Sequence, residues 1–347
     1  METNCSGVEV EDLTPTGEQF AIFDSVQEDA RRVIEDTWVT TEDGQVFPWA
    51  ATDKDYEGAV YLSDACESLL ALGEAARLGD RWSQDMLSKG PAILKTICSE
   101  QYLASQVPTF WADPLHYRQA RRRAKLANAE IGQLPHEQRK LRFAEGVEAD
   151  KDARKRLHNL APARGGDDEK VIDYGRVDSV ALVFKTYEML LHRLRGTAAY
   201  DELFTPFIHS TGVERTLQEA LLDGGDWFMR RFRDSKLGLI ETTRFFRGDK
   251  RNKGWKDSLT AYLHTNGKLV NMRNRIADPE IQGEYYEAIL GYIGLLNDTG
   301  RSSEVNAAYA ARDHLRFATV SYFYEDGDDQ LSGIDGRPHF VTAVDRN

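Results

Sequence analysis

Cysteine, basic charge and long hydrophobic runs are all scarce in this chain of 347 residues. The three cysteines, Cys5, Cys66 and Cys98, are too few and too widely spaced for a disulfide framework or a zinc site. No run approaches the roughly 18 apolar residues that a membrane-spanning helix needs. The 44 Lys and Arg are outnumbered by 57 Asp and Glu, and the resulting net charge of −13 argues against binding to the phosphates of nucleic acids.

The N-terminal residues are acidic and lack the basic-then-apolar order of a signal peptide. Hydrophobic residues make up 41% of the chain, which suits a folded protein and not a disordered one. We therefore expect a soluble, cytoplasmic protein that binds neither nucleic acid nor a membrane.

Apolar residues recur at helical spacing through most of the chain. Val180, Phe184 and Tyr187 are separated by four and three residues, and Val26 and Val33 belong to a similar series near the N-terminus. Such spacing places side chains on one helix face, which we expect to be buried. Strand-like alternation is short and local, as at residues 339–344, so the sequence predicts an all-α fold. The predicted helices lie near residues 17–36, 60–78, 84–103, 116–130, 178–195, 200–211, 214–233, 256–265, 279–297 and 303–323.

We expect residues 1–347 to form a single domain, because helices of similar length follow one another without a sequence repeat. A charged excursion at about 104–175 interrupts the series, with a basic run at 118–125 and a second charged run at 150–156. Two interpretations stay open for it. It is a site for an anionic partner, or it is a solvated surface segment, which is the commoner meaning of a charge run.

A polar and aromatic cluster at residues 247–258 is the first candidate for a ligand site. It precedes a predicted helix and ends in Gly-Trp-Lys-Asp-Ser. The indole of Trp255 is suited to stack on a sugar ring, while Lys256 and Asp257 are suited to hydrogen-bond its hydroxyls. The structural alternative is that Asp257 or Ser258 only caps the helix.

A second candidate is the segment 277–288, which reads Ala-Asp-Pro-Glu-Ile-Gln-Gly-Glu-Tyr-Tyr-Glu-Ala. Pro279 is typical of a helix start, and Glu280 is typical of a first turn, where the helix dipole favours a carboxylate. A glycine as early in the helix as Gly283 suggests close approach by a neighbouring helix or by a ligand.

Together these segments resemble the amylo-α-1,6-glucosidase family, the glycogen-debranching-type glycoside hydrolases of bacteria and archaea. The family reads roughly Gln-Gly-Trp-Lys-Asp-Ser, then Glu-x-Gln-Gly-Tyr-x-Tyr-x-Ala. This chain has Gly-Trp-Lys-Asp-Ser at 254–258 and Glu-x-Gln-Gly-x-x-Tyr-x-Ala at 280–288. Residues 131–139 and 174–182 are similar to two upstream family segments. Residues 47–49 and Asp64 match early Pro-Trp and Gly-Arg-Asp elements, although no Arg precedes Asp64.

The resemblance implies an (α/α)6 toroid of the six-hairpin glycosidase type, in which six inner helices are surrounded by six outer ones. It also implies inverting hydrolysis of α-glucosidic bonds in glycogen-like substrates or oligosaccharides, with Asp257 as the catalytic proton donor. The residues that it implies for sugar binding are Trp49, Asp64, His136, Glu137, Arg139, Asp178, Trp255, Lys256, Glu280 and Gln282. No cofactor and no metal is implied, because acid–base hydrolysis of a glycoside needs neither.

Structural roles stay open for several of these residues. His136 is suited to be a buried structural histidine, and no second His follows Glu137 at the spacing of a zinc-binding helix. Asp178 is suited to be the N-cap of the helix predicted to begin there. Trp49 and Trp255 are suited to ordinary packing.

Relative to this family we expect the toroid to be incomplete at its C-terminus, where the family has further helices and the general base. An open ring exposes apolar helix faces, so we also expect possible self-association. The predicted function is a glucosidase-type hydrolase whose partner is an α-glucoside or oligosaccharide. The alternatives are a catalytically incomplete carbohydrate-binding fragment or remnant, and a helical scaffold without a sugar site.

Overall fold

The structure is a computed structural model that describes residues 17–41, 44–49, 59–106, 130–140, 170–174, 177–241, 276–325, 339–340 and 344–345. This part of the chain is mostly helical, in agreement with the fold class that the periodicity predicts. Its α-helices are α1 (Gly17–Thr37), α2 (Leu62–Arg77), α3 (Arg81–Leu87), α4 (Gly90–Cys98), α5 (Ser179–Arg193), α6 (Ala198–Glu202), α7 (Leu217–Asp234), α8 (Pro279–Asp298) and α9 (Ser302–Phe323).

The strands of the described residues are all short and pair antiparallel. One three-stranded sheet has the order β3-β4-β5, and the other pairs are β1-β2, β6-β7, β8-β11 and β9-β10. The strands are β1 (Trp38–Thr40), β2 (Val46–Pro48), β3 (Ala59–Tyr61), β4 (Glu137–Lys140), β5 (Lys170–Asp173), β6 (Phe207–Ile208), β7 (Glu214–Arg215), β8 (Ile276–Ala277), β9 (Tyr324–Glu325), β10 (His339–Phe340) and β11 (Val344–Asp345).

Two predicted helices are wrong in their bounds. The helix predicted at 84–103 is divided between α3 and α4, because Pro91 in the first turn of α4 has no N–H to donate to the preceding turn. The helix predicted at 200–211 ends early, since α6 stops at Glu202 and β6 and β7 then form a hairpin whose turn includes Gly212 at φ 84°. The helices predicted at 116–130 and 256–265 lie almost entirely outside the described residues.

Part of the predicted excursion at 104–175 is an interior segment. Gln133, Leu134 and His136 are all buried. The side-chain amide of Gln101 donates to the carbonyl of Gly132 at 2.7 Å, which fastens this segment to the chain after α4. Residues 132–138 are thus buried, whereas both charged runs, on which the two interpretations depend, lie outside the described residues, so those interpretations stay predictions.

Helices α2, α5 and α8 lie side by side. They run in the same direction, because Glu67, Asp178 and Glu284 near their starts lie within electrostatic reach of one another, while residues further along also meet, Gly73 with Met189 and Gly291 with Glu188. Gly73 of α2 packs against Met189 of α5 so closely that an added Cβ would overlap the Met189 sulfur. Tyr285 donates its hydroxyl hydrogen to the carbonyl of Val177, which ties the first turns of α8 to the start of α5. The N-terminal ends of the three helices therefore meet at one end of the fold.

Aromatic side chains fill the core between α5, α7 and α8. The ring of Phe228 makes edge contacts with Phe184, Tyr285 and Tyr292, at centroid separations of 5.5, 5.6 and 5.5 Å. Edge-to-face contacts of this kind stabilise a core beyond the apolar area that they bury. The same hydrophobic cluster joins buried side chains from Trp38 to Phe323.

Candidate functional site

Five carboxyl groups gather where α2, α5 and α8 begin, and we refer to them as the carboxyl cluster. They belong to Asp64, Glu67, Asp178, Glu280 and Glu284. Partial burial, together with the negative charges of Asp64 and Glu280, raises the pKa of the Glu67 carboxyl. Each member lies close enough to another that the negative charge of one disfavours ionisation of its neighbour.

Glu284 is the most strongly perturbed member of the carboxyl cluster. Burial, followed by the charges of Asp178, Glu280 and Glu67, raises its pKa to about 8, and Lys185 opposes this only weakly. Its Oε2 atom is buried and accepts no hydrogen bond from any described group. A carboxyl group in such surroundings is protonated over half of the time at neutral pH.

Sequence reasoning did not single out Glu284, although two signals were present. Glu280 and Glu284 are four residues apart, which places them on one face of α8. The family pattern has Tyr at the position of Glu284, so this chain adds a carboxyl group where the resemblance predicts an aromatic ring. The charges that perturb it come from distant parts of the chain and are not visible in the local sequence.

Asp178 stands at the N-cap position of α5 without acting as a cap. Its backbone is helical there, at φ −64° and ψ −35°, and its side chain makes no capping hydrogen bond to the helix. The side chain is nevertheless almost fully buried. Helix capping therefore does not explain why an aspartate occupies this position. Its side chain lies instead among the other carboxyl groups of the carboxyl cluster, close enough to act on Glu284.

His136 and its neighbours lie beside the start of α2. The carbonyl of His136 accepts a hydrogen bond of 2.9 Å from the N–H of Leu62, and its ring meets the ring of Tyr61 edge-on at 5.4 Å. Glu137 is buried at the beginning of β4, opposite Tyr61. Arg139 occupies the same strand, opposite Ala59. The sheet therefore brings this predicted segment to the end of the fold where the carboxyl cluster lies.

The buried side chain of Gln282 positions the chain at Ile240. Its amide nitrogen donates to the carbonyls of Ile240 and Asp278, both at 2.9 Å, and its amide oxygen accepts from the N–H of Ile240 at 2.7 Å. Both amide hydrogens are thereby used, so Gln282 holds the chain at Ile240 against α8. This contact fixes the point from which the chain continues toward Asp257.

The remaining predicted site residues are placed as follows. Asp64 and Glu280 are exposed in the first turns of α2 and α8. Trp49 follows β2 and is partly buried, and its backbone N–H donates to the carbonyl of Thr37 at 2.9 Å. Trp255, Lys256 and Asp257 lie outside the described residues.

Gly283 faces open space within the described part of the structure. A Cβ added there would have no described atom within 4 Å, unlike one added at Gly225, which would overlap the ring of Tyr292. Packing against a described helix therefore does not account for Gly283, and the other sequence interpretation, close approach by a ligand, stays a prediction.

No group of three or more His, Cys, Asp or Glu side chains in the described ranges is arranged to hold a metal ion. None of the described helices is long and apolar enough to cross a membrane. The sequence matches no protein-family model and no curated protein.

Proposed function

We propose that this protein is an inverting glycoside hydrolase that cleaves α-glucosidic bonds in oligosaccharides or glycogen-like chains. The observation that supports this most directly is the carboxyl cluster, with one member of pKa about 8 among carboxylates at the shared end of three helices. Inverting hydrolysis needs two carboxyl groups of different protonation state in one site. The raised pKa of Glu284 sets its carboxyl apart from an ordinary one and makes it a candidate for one member of such a pair.

The direction of the helices agrees with the toroid that the family resemblance implies. In an (α/α)6 toroid the inner helices run parallel, and the contacts of α2, α5 and α8 have the order expected of parallel neighbours. The chain continues from α8 through the turn at 299–301 into α9, which packs along α8. We propose that these three helices belong to the inner ring and that the carboxyl cluster lines its mouth.

In the proposed reaction Asp257 is the proton donor and Glu284 is the proton acceptor. A water oxygen attacks the anomeric carbon and its proton passes to the Glu284 carboxylate. The bond from that carbon to the glycosidic oxygen breaks, and the oxygen takes the proton of Asp257. In the acceptor role Glu284 reacts from its ionised form, and a carboxylate of raised pKa is a stronger base than an ordinary one once it has lost its proton.

The other residues would bind the sugar. We propose that the carboxylates of Asp178, Glu280 and Asp64 accept hydrogen bonds from its hydroxyls, and that Trp255 stacks on its ring. A neutral polyhydroxylated ligand suits this site, because its hydroxyl donors relieve the repulsion among carboxylates without adding a charge.

Proton NMR on the purified chain tests the reaction. Incubation with α-linked di- and oligosaccharides should release glucose in the β form first. The substrate α-glucosyl fluoride distinguishes the two catalytic roles, because its leaving group is fluoride, which needs no proton. Asp257→Asn should keep activity on the fluoride and lose it on maltose or isomaltose, while Glu284→Gln should lose both and recover in part with azide as an external nucleophile.

Glu214→Gln is the matched control, since Glu214 is an exposed carboxylate on β7, outside the carboxyl cluster. It should leave turnover unchanged. Release of α-glucose would contradict inversion. Tight maltose binding without any release of glucose would favour the carbohydrate-binding remnant instead.

A further inference from the structure

A cavity of about 440 Å³ lies between the C-terminal halves of α5 and α8, with α6 and α7 closing its sides. This volume falls within the range of about 300–1,000 Å³ that is typical of small-molecule sites. Gly294, which lines the cavity, is ten residues beyond Glu284 on α8, a distance of about 15 Å along the helix. The cavity is therefore separate from the carboxyl cluster.

Polar groups converge on one buried hydroxyl in its wall. Tyr187 is only 6% exposed, and its hydroxyl oxygen makes no hydrogen bond of normal geometry to a described group. Gln218 lies beside it, and Asp298 is close enough to act on it electrostatically. A tyrosine hydroxyl is protonated at neutral pH and is able to donate a hydrogen bond to a ligand, and burial raises the pKa of Tyr187 further, to about 12.

Aromatic rings form the outer part of the same cavity. Tyr200 and Phe204 of the α6 region meet edge-on with centroids 5.2 Å apart, and Phe204 is 40% exposed. Glu188 and Asp298 contribute negative charge at the rim, and Arg195 contributes positive charge. Charges of both signs around an aromatic wall suit a neutral ligand with several hydroxyls better than an ion of either sign.

The backbone of α8 leaves room for such a ligand. A Cβ added at Gly294 would meet nothing within 4 Å, and one added at Gly291 would come no closer than 3.6 Å to the ring of Phe184. Neither glycine is therefore required for contact between described helices. Both glycines line the cavity, and neither places a side chain in it.

We infer that this cavity is a second sugar-binding site, which holds a pyranose unit by stacking on Tyr200 and Phe204 and by hydrogen bonds to Tyr187, Gln218 and Asp298. The choice of an α-glucosyl unit as its ligand rests on the proposed function. The site takes no part in hydrolysis, and it would hold another portion of a long substrate or a free oligosaccharide.

Calorimetry with maltose and maltotriose on the Glu284→Gln chain tests this, because hydrolysis is then removed and only binding is measured. Gly294→Leu fills the cavity from the open side of α8 and should weaken one of two binding events by at least roughly tenfold. Gly294→Ala, at the same position, should change it little. Tyr187→Phe removes only the hydroxyl and should weaken the same event by roughly fivefold.

The outcomes separate this inference from the proposed function. Chemical shifts at the α6 region should respond to maltose in the wild-type chain and stay unchanged in Gly294→Leu. If Gly294→Leu and Tyr187→Phe both bind maltotriose as Glu284→Gln alone does, the second site does not exist, even when the enzyme hydrolyses its substrate. If the wild-type chain hydrolyses nothing yet loses maltose binding in Gly294→Leu, the second site stands and the hydrolase proposal fails.

Discussion

Asp178 at the start of α5 and Glu284 in the second turn of α8 lie close enough for the charge of one to raise the pKa of the other. The hydrogen bond from Tyr285 to the carbonyl of Val177 fixes this neighbourhood, because it joins the residues adjacent to both. Like charges held together in this way cost stability unless a proton or a ligand relieves them. The carboxyl cluster is thus a place where the fold is electrostatically strained.

The first prediction concerns stability and pH. The unfolded chain releases the proton of Glu284 near the ordinary value of 4.5, whereas the folded chain holds it to about pH 8. Between these values the folded state binds more protons, so the free energy of unfolding falls as pH rises. Glu284→Gln should match wild type near pH 4.5 and exceed it at pH 8 by about 2 kcal/mol, less than the full shift because the side chain is partly exposed.

Urea unfolding at pH 4.5, 6 and 8 measures this difference. Glu214→Gln is the control, because it removes an exposed carboxylate outside the carboxyl cluster. It should show the pH dependence of wild type. A Glu284→Gln profile parallel to wild type at all three pH values would show that Glu284 has an ordinary pKa.

The second prediction concerns the pH dependence of turnover. If Glu284 is the proton acceptor, kcat/KM should rise with pH toward about 8, as its carboxylate becomes populated. The opposite sign, a fall between pH 6 and pH 8, would mean that the protonated form is needed and that Glu284 is a donor. Initial rates on maltose and on α-glucosyl fluoride should give the same rising limb.

The sequence is informative about local structure and less so about which faces are buried. Its helical spacing correctly places α1, yet Val26 and Val33 are 61% and 59% exposed. Ile34 packs against the core, and polar contacts add to this, since Arg31 pairs with Asp80 at 2.8 Å and Glu35 accepts from the Trp82 indole at 2.8 Å. The periodicity identifies which residues share one face of a helix, but the rest of the fold determines whether that face is buried.

The candidate site was likewise predicted only in part from the sequence. Glu280 and Asp178 were identified from a resemblance in short segments, and the structure brings both to the carboxyl cluster. Gln282 was expected at the sugar, and only its three hydrogen bonds reveal that it holds Ile240 in place. The unusual pKa of Glu284 depends on charges from α2 and α5, so no local pattern predicts it.

The third prediction tests the close approach of α7 and α8. A methyl group at Gly225 would overlap the ring of Tyr292, which is fully enclosed in the aromatic core. Gly225→Ala should therefore lower the free energy of unfolding by about 1–3 kcal/mol. Gly283→Ala has no described neighbour to displace and should raise it by about 0.5–1 kcal/mol, because alanine favours the helix. Equal losses in both would rule out overlap with Tyr292 as the cause.

The fourth prediction concerns the start of α7, where Thr216 and Glu219 cap each other. The Thr216 hydroxyl accepts from the N–H of Glu219 at 3.2 Å, and the Glu219 carboxylate accepts from the N–H of Thr216 at 2.8 Å. Thr216→Ala should cost about 1 kcal/mol of stability. Because the two bonds support one turn, Thr216→Ala with Glu219→Ala should cost less than the sum of the single changes.

Thermal unfolding of the wild type, the two single variants and the double variant measures this. The exposed Glu214→Ala is a control that should stay near wild type. Strict additivity would mean that the two side chains act independently and that the reciprocal cap does not form in solution.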